Sequence, residues 1–106
     1  MPNKQISLQE LLDLISKRIA QKDQNSYSFK LVKDGVDKVA RKIGEEAVEV
    51  IIAAFANQNK KSKKTREELI GEICDLFYHS LVLMASQKIE LSEILDELSK
   101  RNKKAK

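Results

Sequence analysis

The stretch GEEAVEVIIAA, residues 44–54, decides the fold because it places three glutamates directly against a run of apolar residues. An apolar stripe about 120° wide passes through this stretch at helical spacing and predicts one long helix. The stripe consists of Val36, Val39, Ala40, Ile43, Ala47, Val50, Ile51 and Ala54. The charged residues of the stretch, Glu45, Glu46 and Glu49, lie outside it. Apolar residues fill the same arc further along the helix, so we expect these glutamates to border a buried region.

Capping signals predict further helices on both sides of this one. Ser7, followed three residues later by Glu10, is a capping box that predicts a first helix running to about Lys22. A second box, Thr65 with Glu68, predicts the start of another long helix.

Shorter helical segments complete the predicted bundle. Residues 29–34 favour a short helical piece, and a last helix starts near Ser92. Because no strand-like alternation competes with these patterns, the predicted fold class is all-α, a helical bundle of four to five helices.

The size of the chain predicts a thin core. Its 106 residues, 42% hydrophobic and 34% charged, suit a single helical domain over residues 1–106, with frayed ends at residues 1–5 and 102–106. Small helical chains of this kind often pair with a copy of themselves, so we expect homodimerisation to complete the core.

Two lysine-rich clusters, residues 60–66 and 100–106, supply much of the net charge of +4. Neither interleaves aromatic residues for base stacking, which favours a solvated loop and tail over a nucleic-acid site. The single cysteine, Cys74, cannot form an internal disulfide, and the N-terminus lacks the apolar run of a signal peptide or membrane span. We therefore expect a cytoplasmic protein with no nucleic-acid or membrane partner.

A second group of carboxylates follows on the next long helix. Glu72 and Asp75 share an arc beside the apolar stripe of that helix, and neither has a Lys or Arg one turn away. If the two long helices pack antiparallel, as a short connection favours, Glu72 and Asp75 converge with Glu46 and Glu49.

Converging carboxylates repel one another, and proton sharing or a cation must relieve the repulsion. An all-oxygen ligand set with few imidazoles suits Mg²⁺, or alternatively Mn²⁺, and Mg²⁺ usually binds together with substrate phosphates. Lys38 and Lys42, on the same helix face, could hold phosphate oxygens. Glutamate pairs on helices are nevertheless common and usually solvated, so a single Glu-x-x-Glu is a weak signal.

The combined pattern, Glu-Glu-x-x-Glu and then Glu-x-x-Asp on a later helix, resembles the signature of the all-α nucleoside triphosphate pyrophosphohydrolase superfamily. Four segments resemble, more narrowly, the phosphoribosyl-ATP pyrophosphohydrolase family of histidine biosynthesis: KIGEEAVEVIIAA (42–54), ELIGEICDLFYHSLVLM (68–84), SYS (26–28) and L-x-x-R (98–101). The resemblance implies Mg²⁺-dependent cleavage of phosphoribosyl-ATP to phosphoribosyl-AMP and pyrophosphate, with the attacked phosphorus, α or β, left open.

The resemblance also implies roles for individual residues. The metal ligands would be Glu46, Glu49, Glu72 and Asp75. Glu45 would orient or deprotonate the attacking water, and with Glu49 it forms the predicted catalytic pair. The phosphates would be contacted by Lys42, Lys38 and Arg41.

Three further residues are candidate substrate contacts with a structural alternative. Ser26 and Tyr27 could touch substrate from their loop, or cap and pack locally. His79 could contact substrate, although a lone histidine beside an apolar stripe is more often structural than a ligand.

The resemblance implies partners as well. It implies a dimer, which agrees with the thin core. In some relatives the next pathway enzyme, a cyclohydrolase, is fused to this domain. Since this chain begins directly with the hydrolase pattern, we expect the cyclohydrolase on a separate chain.

Three other functions compete with this interpretation. A house-cleaning pyrophosphohydrolase of the same superfamily would use the same metal ligands. A ferritin-like di-iron bundle would need Glu-x-x-His on two helices, and this chain has one histidine. A helical adaptor using its basic loop and tail would leave the clustered carboxylates unexplained.

Overall fold

The computed structural model describes residues 4–104 and contains five α-helices in that range. They are α1 (Leu8–Ala20), α2 (Tyr27–Lys33), α3 (Val36–Asn59), α4 (Lys63–Ser86) and α5 (Leu91–Lys104). No strand occurs among these described residues, which confirms the predicted all-α class. The terminus predicted to fray at residues 102–106 is helical as far as Lys104, while residues 1–3 and 105–106 lie outside the described range.

The first two helices begin at serine caps. Ser7 forms the predicted capping box: its Oγ accepts from the Glu10 amide at 3.0 Å, and its own amide donates to the Glu10 carboxylate at 2.9 Å. α1 ends at Ala20 rather than near Lys22, since Lys22 has a left-handed φ of 52°. α2 begins at Tyr27, earlier than predicted, because Ser26 serves as its N-cap.

The predicted start of α4 was wrong. The helix begins at Lys63, and its capping box pairs Ser62 with Thr65 instead of Thr65 with Glu68. The Ser62 Oγ accepts from the Thr65 amide at 3.1 Å, and the Ser62 amide donates to Thr65 Oγ1 at 3.0 Å. A hydroxyl at the third helical position thus supplies the reciprocal bond that the sequence analysis assigned to a glutamate one turn later.

The core lies where α1, α2, α3 and α4 meet. Its buried members are Leu12, Ile15, Leu31, Val39, Leu81 and Val82. Burying an aliphatic side chain of this kind contributes about 1.5–3 kcal/mol relative to leaving it exposed. Among the described helices, α5 packs only against α1.

The apolar stripe predicted as the core face of α3 is largely uncovered within one chain. Only Val39 is buried, and the exposed members of the stripe are Val36, Ala40, Ile51 and Ala54. The reason is that α3 packs mainly against α4, which leaves its far side without a neighbour among the described residues. We define the outer stripe of α3 as Val48, Ile51, Ile52 and Phe55, and the outer stripe of α4 as Ile70, Ile73 and Phe77, all exposed.

α4 is long and apolar enough to cross a membrane by length and composition alone, a property it shares with core helices of soluble proteins. It carries Glu72 and Asp75 in its middle and packs against α1 and α3. We therefore treat it as a member of the helical bundle.

Candidate metal centre

The α3–α4 hairpin sets the register of the site. Near the connection, Thr65 Oγ1 lies 3.0 Å from the Asn57 side-chain oxygen. Further from the connection, His79 Nδ1 lies 3.4 Å from Glu46 Oε1. Earlier residues of α3 therefore meet later residues of α4, so the two helices are antiparallel, as predicted.

This register brings three carboxylates together. One oxygen each from Glu46, Glu72 and Asp75 can be chosen so that all three lie within 4.8 Å of one another. Glu46 is buried, Glu72 is half-buried and Asp75 is exposed, so the cluster extends from the interior to the surface. Of the three glutamates on α3 expected to border a buried region, Glu46 is buried, whereas Glu45 and Glu49 are exposed.

Glu49 adds a fourth carboxyl to the cluster. Its side chain is within hydrogen-bonding reach of Glu72, and this bond is the largest cause that raises the pKa of Glu72 from 4.5 to about 7. Desolvation and the negative charges of Glu49, Asp75 and Glu46 raise it further. The cluster therefore retains a proton near neutral pH, because that proton relieves repulsion that a cation could relieve instead.

The chemistry of the donors fits Mg²⁺ or Mn²⁺. All four side chains offer carboxylate oxygen, the ligand that hard divalent cations prefer. The raised pKa of Glu72 indicates that the site carries more negative charge than its immediate surroundings neutralise. The structure thus brings together three of the four residues predicted as metal ligands, Glu46, Glu72 and Asp75, and the fourth, Glu49, lies beside Glu72.

The predicted phosphate-binding cations lie on the same helix. Lys42 is half-buried, with its Nζ 3.7 Å from the carboxylate of Glu45, which is itself exposed. Lys38 lies one turn earlier and pairs with Asp34 at 3.0 Å, and Arg41 is exposed. Exposed pairs of this kind are weak, so these cations can be recruited by a phosphate.

The residues from the SYS segment have distinct surroundings. Ser26 is buried, and its hydroxyl accepts from the Phe29 amide and contacts the Ser28 hydroxyl at 2.8 Å. The local capping role considered from the sequence is therefore present. Tyr27 is 49% exposed, and its hydroxyl lies 2.7 Å from His79 Nε2. Their predicted contacts with substrate stay predictions.

Sequence reasoning missed the contact between Tyr27 and His79. The two residues are 52 positions apart, and no pattern in a single sequence pairs an exposed tyrosine on one helix with a histidine on a distant helix. The available signal was local: His79 lies one turn after Asp75 and shares the arc of the carboxylates.

Two cavities lie outside this cluster. A groove of about 580 Å³ runs between α1 and the turn before α5, and a smaller one of about 410 Å³ lies beside the basic connection between α3 and α4. None of the four carboxylates lines either cavity. Because Glu49 and Asp75 are exposed while Glu46 is buried, the cluster opens to the surface within one chain.

The chain is all-α and brings Glu46, Glu72 and Asp75 together at one helical hairpin, an arrangement that resembles the all-α nucleoside triphosphate pyrophosphohydrolases. Residues 8–102 match the family of phosphoribosyl-ATP pyrophosphohydrolase. The chain belongs to this family, which confirms the resemblance found in the sequence.

Relatives from several organisms are similar over most of this chain. A protein of Leptospira biflexa named phosphoribosyl-ATP pyrophosphatase is 48% identical over 95 residues, covering 90% of this chain and 96% of the relative. A protein of the same name from Clostridium novyi is 42% identical, covering 92% of this chain and 82% of the relative. The Histidine biosynthesis bifunctional protein HisIE of Thermotoga maritima is 43% identical, covering 89% of this chain and 44% of that relative.

Proposed function

We propose that this chain hydrolyses phosphoribosyl-ATP to phosphoribosyl-AMP and pyrophosphate, a step of histidine biosynthesis. Membership of the family and the names of the relatives support the substrate. We assign the reaction to the α3–α4 hairpin because Glu46, Glu72 and Asp75 converge there, with Glu49 beside Glu72.

We further propose that Mg²⁺ binds at this cluster, with Mn²⁺ as an alternative. Glu46, Glu49, Glu72 and Asp75 would hold it, since their oxygens match the preference of the ion and their mutual repulsion falls when it binds. When bound, the ion would neutralise part of the negative charge on the triphosphate oxygens.

The residues around the cluster can perform the remaining tasks. Glu45, exposed beside buried Glu46, can accept a proton from a water molecule as its oxygen bonds to phosphorus and the bond to the leaving phosphate oxygen breaks. Attack at the α or the β phosphorus gives the same two products. Lys42, with Lys38 and Arg41 on the same helix, would bind phosphate oxygens.

We also propose that two copies of the chain associate. The radius of gyration is 16.0 Å, whereas a compact domain of this length has about 13 Å. The outer stripes of α3 and α4 are exposed, and Phe55 is 65% exposed. A second copy that covers these stripes would complete the core and could add residues to the open site.

The proposed activity leads to expectations about the cellular compartment and the partners of the protein. We expect the protein in the cytoplasm, where it would meet a small-molecule nucleotide substrate. The bifunctional relatives join two histidine-biosynthesis activities in one chain. That a separate chain supplies the cyclohydrolase step here stays a prediction.

The test is release of pyrophosphate from phosphoribosyl-ATP in Mg²⁺ or in EDTA, for the natural chain and for Glu49→Gln. We expect release that requires the metal and falls about 100-fold or more in the variant, since a metal stabilises the transition state by several kcal/mol and each 1.4 kcal/mol is tenfold. Glu68→Gln is the matched control, because Glu68 is an exposed glutamate one turn before Glu72 on the same helix.

Two results would change the proposal. Faster turnover of ordinary or damaged nucleoside triphosphates than of phosphoribosyl-ATP would favour a house-cleaning pyrophosphohydrolase. Equal activity of Glu49→Gln and Glu68→Gln would exclude the cluster as the site of catalysis.

A further inference from the structure

His79 is a buried histidine whose two ring nitrogens both have partners. Its side chain is 8% exposed. Nε2 lies 2.7 Å from the hydroxyl of Tyr27, and Nδ1 lies 2.9 Å from the backbone carbonyl oxygen of Asp75. The same Nδ1 lies 3.4 Å from Oε1 of Glu46. One imidazole thus links an exposed tyrosine to two residues of the carboxylate cluster.

The partners determine where the imidazole proton lies. A carbonyl oxygen can only accept, so Nδ1 carries a proton and donates it to Asp75. In the neutral ring Nε2 is then the acceptor, and the hydroxyl of Tyr27 donates to it. Partial burial raises the pKa of Tyr27, which keeps this hydroxyl protonated. The N–H of Nδ1 is therefore directed toward the carbonyl of Asp75, and the carboxylate of Glu46 lies 3.4 Å from the same nitrogen.

Aromatic neighbours restrict rotation of this ring. Tyr27 meets the imidazole nearly edge-on, with centroids 5.7 Å apart and planes at 82°. Tyr78 does the same at 5.5 Å and 88°. Because the ring is also bonded at both nitrogens, the direction of its N–H is fixed before any ion binds.

We propose that Tyr27 and His79 are positioning residues that hold the carboxylate of Glu46 in place for the divalent cation. The inference rests on the metal site proposed above. Partners that hydrogen-bond to a metal ligand orient it, and their loss typically weakens metal binding about 10- to 100-fold. Tyr27 acts through His79, and His79 acts through Glu46, so neither needs to touch the ion.

The test is binding of Mn²⁺ alone to the full chain. The electron paramagnetic resonance signal of free Mn²⁺ measures how much of the ion remains unbound. We expect Tyr27→Phe, which removes only the hydroxyl, to weaken binding about tenfold. His79→Leu should weaken it further, toward 100-fold. His79→Asn keeps an amide donor near the position of Nδ1 and should recover most of the affinity that His79→Leu loses.

Tyr78→Phe is the matched control. Tyr78 flanks the same ring, and its hydroxyl makes no side-chain hydrogen bond to the described residues. The Tyr78→Phe variant should therefore bind Mn²⁺ with the same affinity as the natural chain. Thermal melting in EDTA separates positioning from folding, because Tyr27→Phe should melt close to the natural chain while binding Mn²⁺ more weakly.

The outcomes distinguish the two proposals. If the natural chain binds no Mn²⁺, the metal site fails and the positioning role fails with it. If the natural chain binds Mn²⁺ and Tyr27→Phe binds it equally well, the positioning role of Tyr27 is overturned while the metal site stands. Equal losses in His79→Asn and His79→Leu would show that the Nδ1 donor does not hold Glu46.

Discussion

At the scale of single residues, the cluster combines negative charge with a retained proton. The pKa of Glu72 is raised from 4.5 to about 7, chiefly by its hydrogen bond with Glu49. An acid with a raised pKa favours folding when it is protonated. Its contribution to stability is thus fully present below pH 4.5 and is lost as the pH rises through about 7.

This loss of stability with rising pH gives a prediction for the protein without metal. In EDTA, the natural chain should lose stability relative to Glu72→Gln as the pH rises from 5 to 8, because the amide of the variant never acquires a charge. Melting temperatures of both chains across this range measure the effect. Parallel pH profiles would show that the proton on Glu72 does not stabilise the fold.

The raised pKa of Glu72 also leads us to expect that metal binding releases a proton. At pH 6 the binding of Mg²⁺ should displace up to about one proton, because carboxylate ligands bind metals in the ionised form. At pH 8 the displacement should be close to zero, since Glu72 is then ionised already. Calorimetry in buffers of different ionisation enthalpy counts these protons, and equal counts at the two pH values would contradict the assignment of Glu72 as a ligand.

At the scale of the helices, one hydroxyl fixes the connection between α3 and α4. Thr65 Oγ1 accepts from the Ser62 amide and lies within 3.0–3.2 Å of three acceptors: the Asn57 side chain and the carbonyls of Lys60 and Ser62. A hydroxyl has one proton, so it bonds to one of these acceptors at a time. This contact ties the end of α3 to the start of α4.

Removal of this hydroxyl should destabilise the hairpin. Thr65→Val keeps the shape of the side chain and should lower the free energy of unfolding by about 1 kcal/mol, the usual contribution of a hydrogen bond. Urea denaturation measures the loss, and Thr65→Ser, which keeps the hydroxyl, should lose less. A Thr65→Val variant as stable as the natural chain would show that the hydroxyl does not stabilise the hairpin.

The helices themselves could be predicted from the sequence, and their ends only in part. Apolar spacing identified α3 and α4, and Ser7 with Glu10 marked the start of α1 because a serine and a glutamate three residues apart form reciprocal bonds. The start of α4 was misplaced because Ser62 and Thr65 form the same bonds with a second hydroxyl, a weaker signal in sequence. The convergence of Glu46, Glu72 and Asp75 could be predicted because their spacing on two helices fixes their direction once the helices are antiparallel.

At the scale of the whole molecule, the exposed apolar surface predicts association. Phe55→Glu places a charge in the outer stripe of α3 and should convert a dimer into a monomer, as measured by sedimentation velocity. Ile6→Glu is the matched control, because Ile6 is 60% exposed, lies ahead of α1 and belongs to neither stripe. A natural chain that sediments as a monomer would refute the proposed association.

The limits of the sequence are clearest at this scale. The apolar stripe of α3 was predicted correctly as a pattern, but a pattern does not tell whether its cover comes from the same chain or from another. Val39 is buried within the chain in the core cluster, whereas Ile51 on the same stripe is 55% exposed. The contact between Tyr27 and His79 likewise depends on how α2 docks, which no local spacing determines.

The short connection between α3 and α4 also bears on how the chain folds. Helices joined by a few residues meet at little cost in loop-closure entropy, whereas the contact between Tyr27 and His79 closes a loop of 52 residues. Local contacts form early in folding, so the acidic residues of the hairpin should meet before α2 has docked. The nascent hairpin therefore brings like charges together while little else holds it. A divalent cation present during refolding would offset that repulsion and speed the formation of the native state.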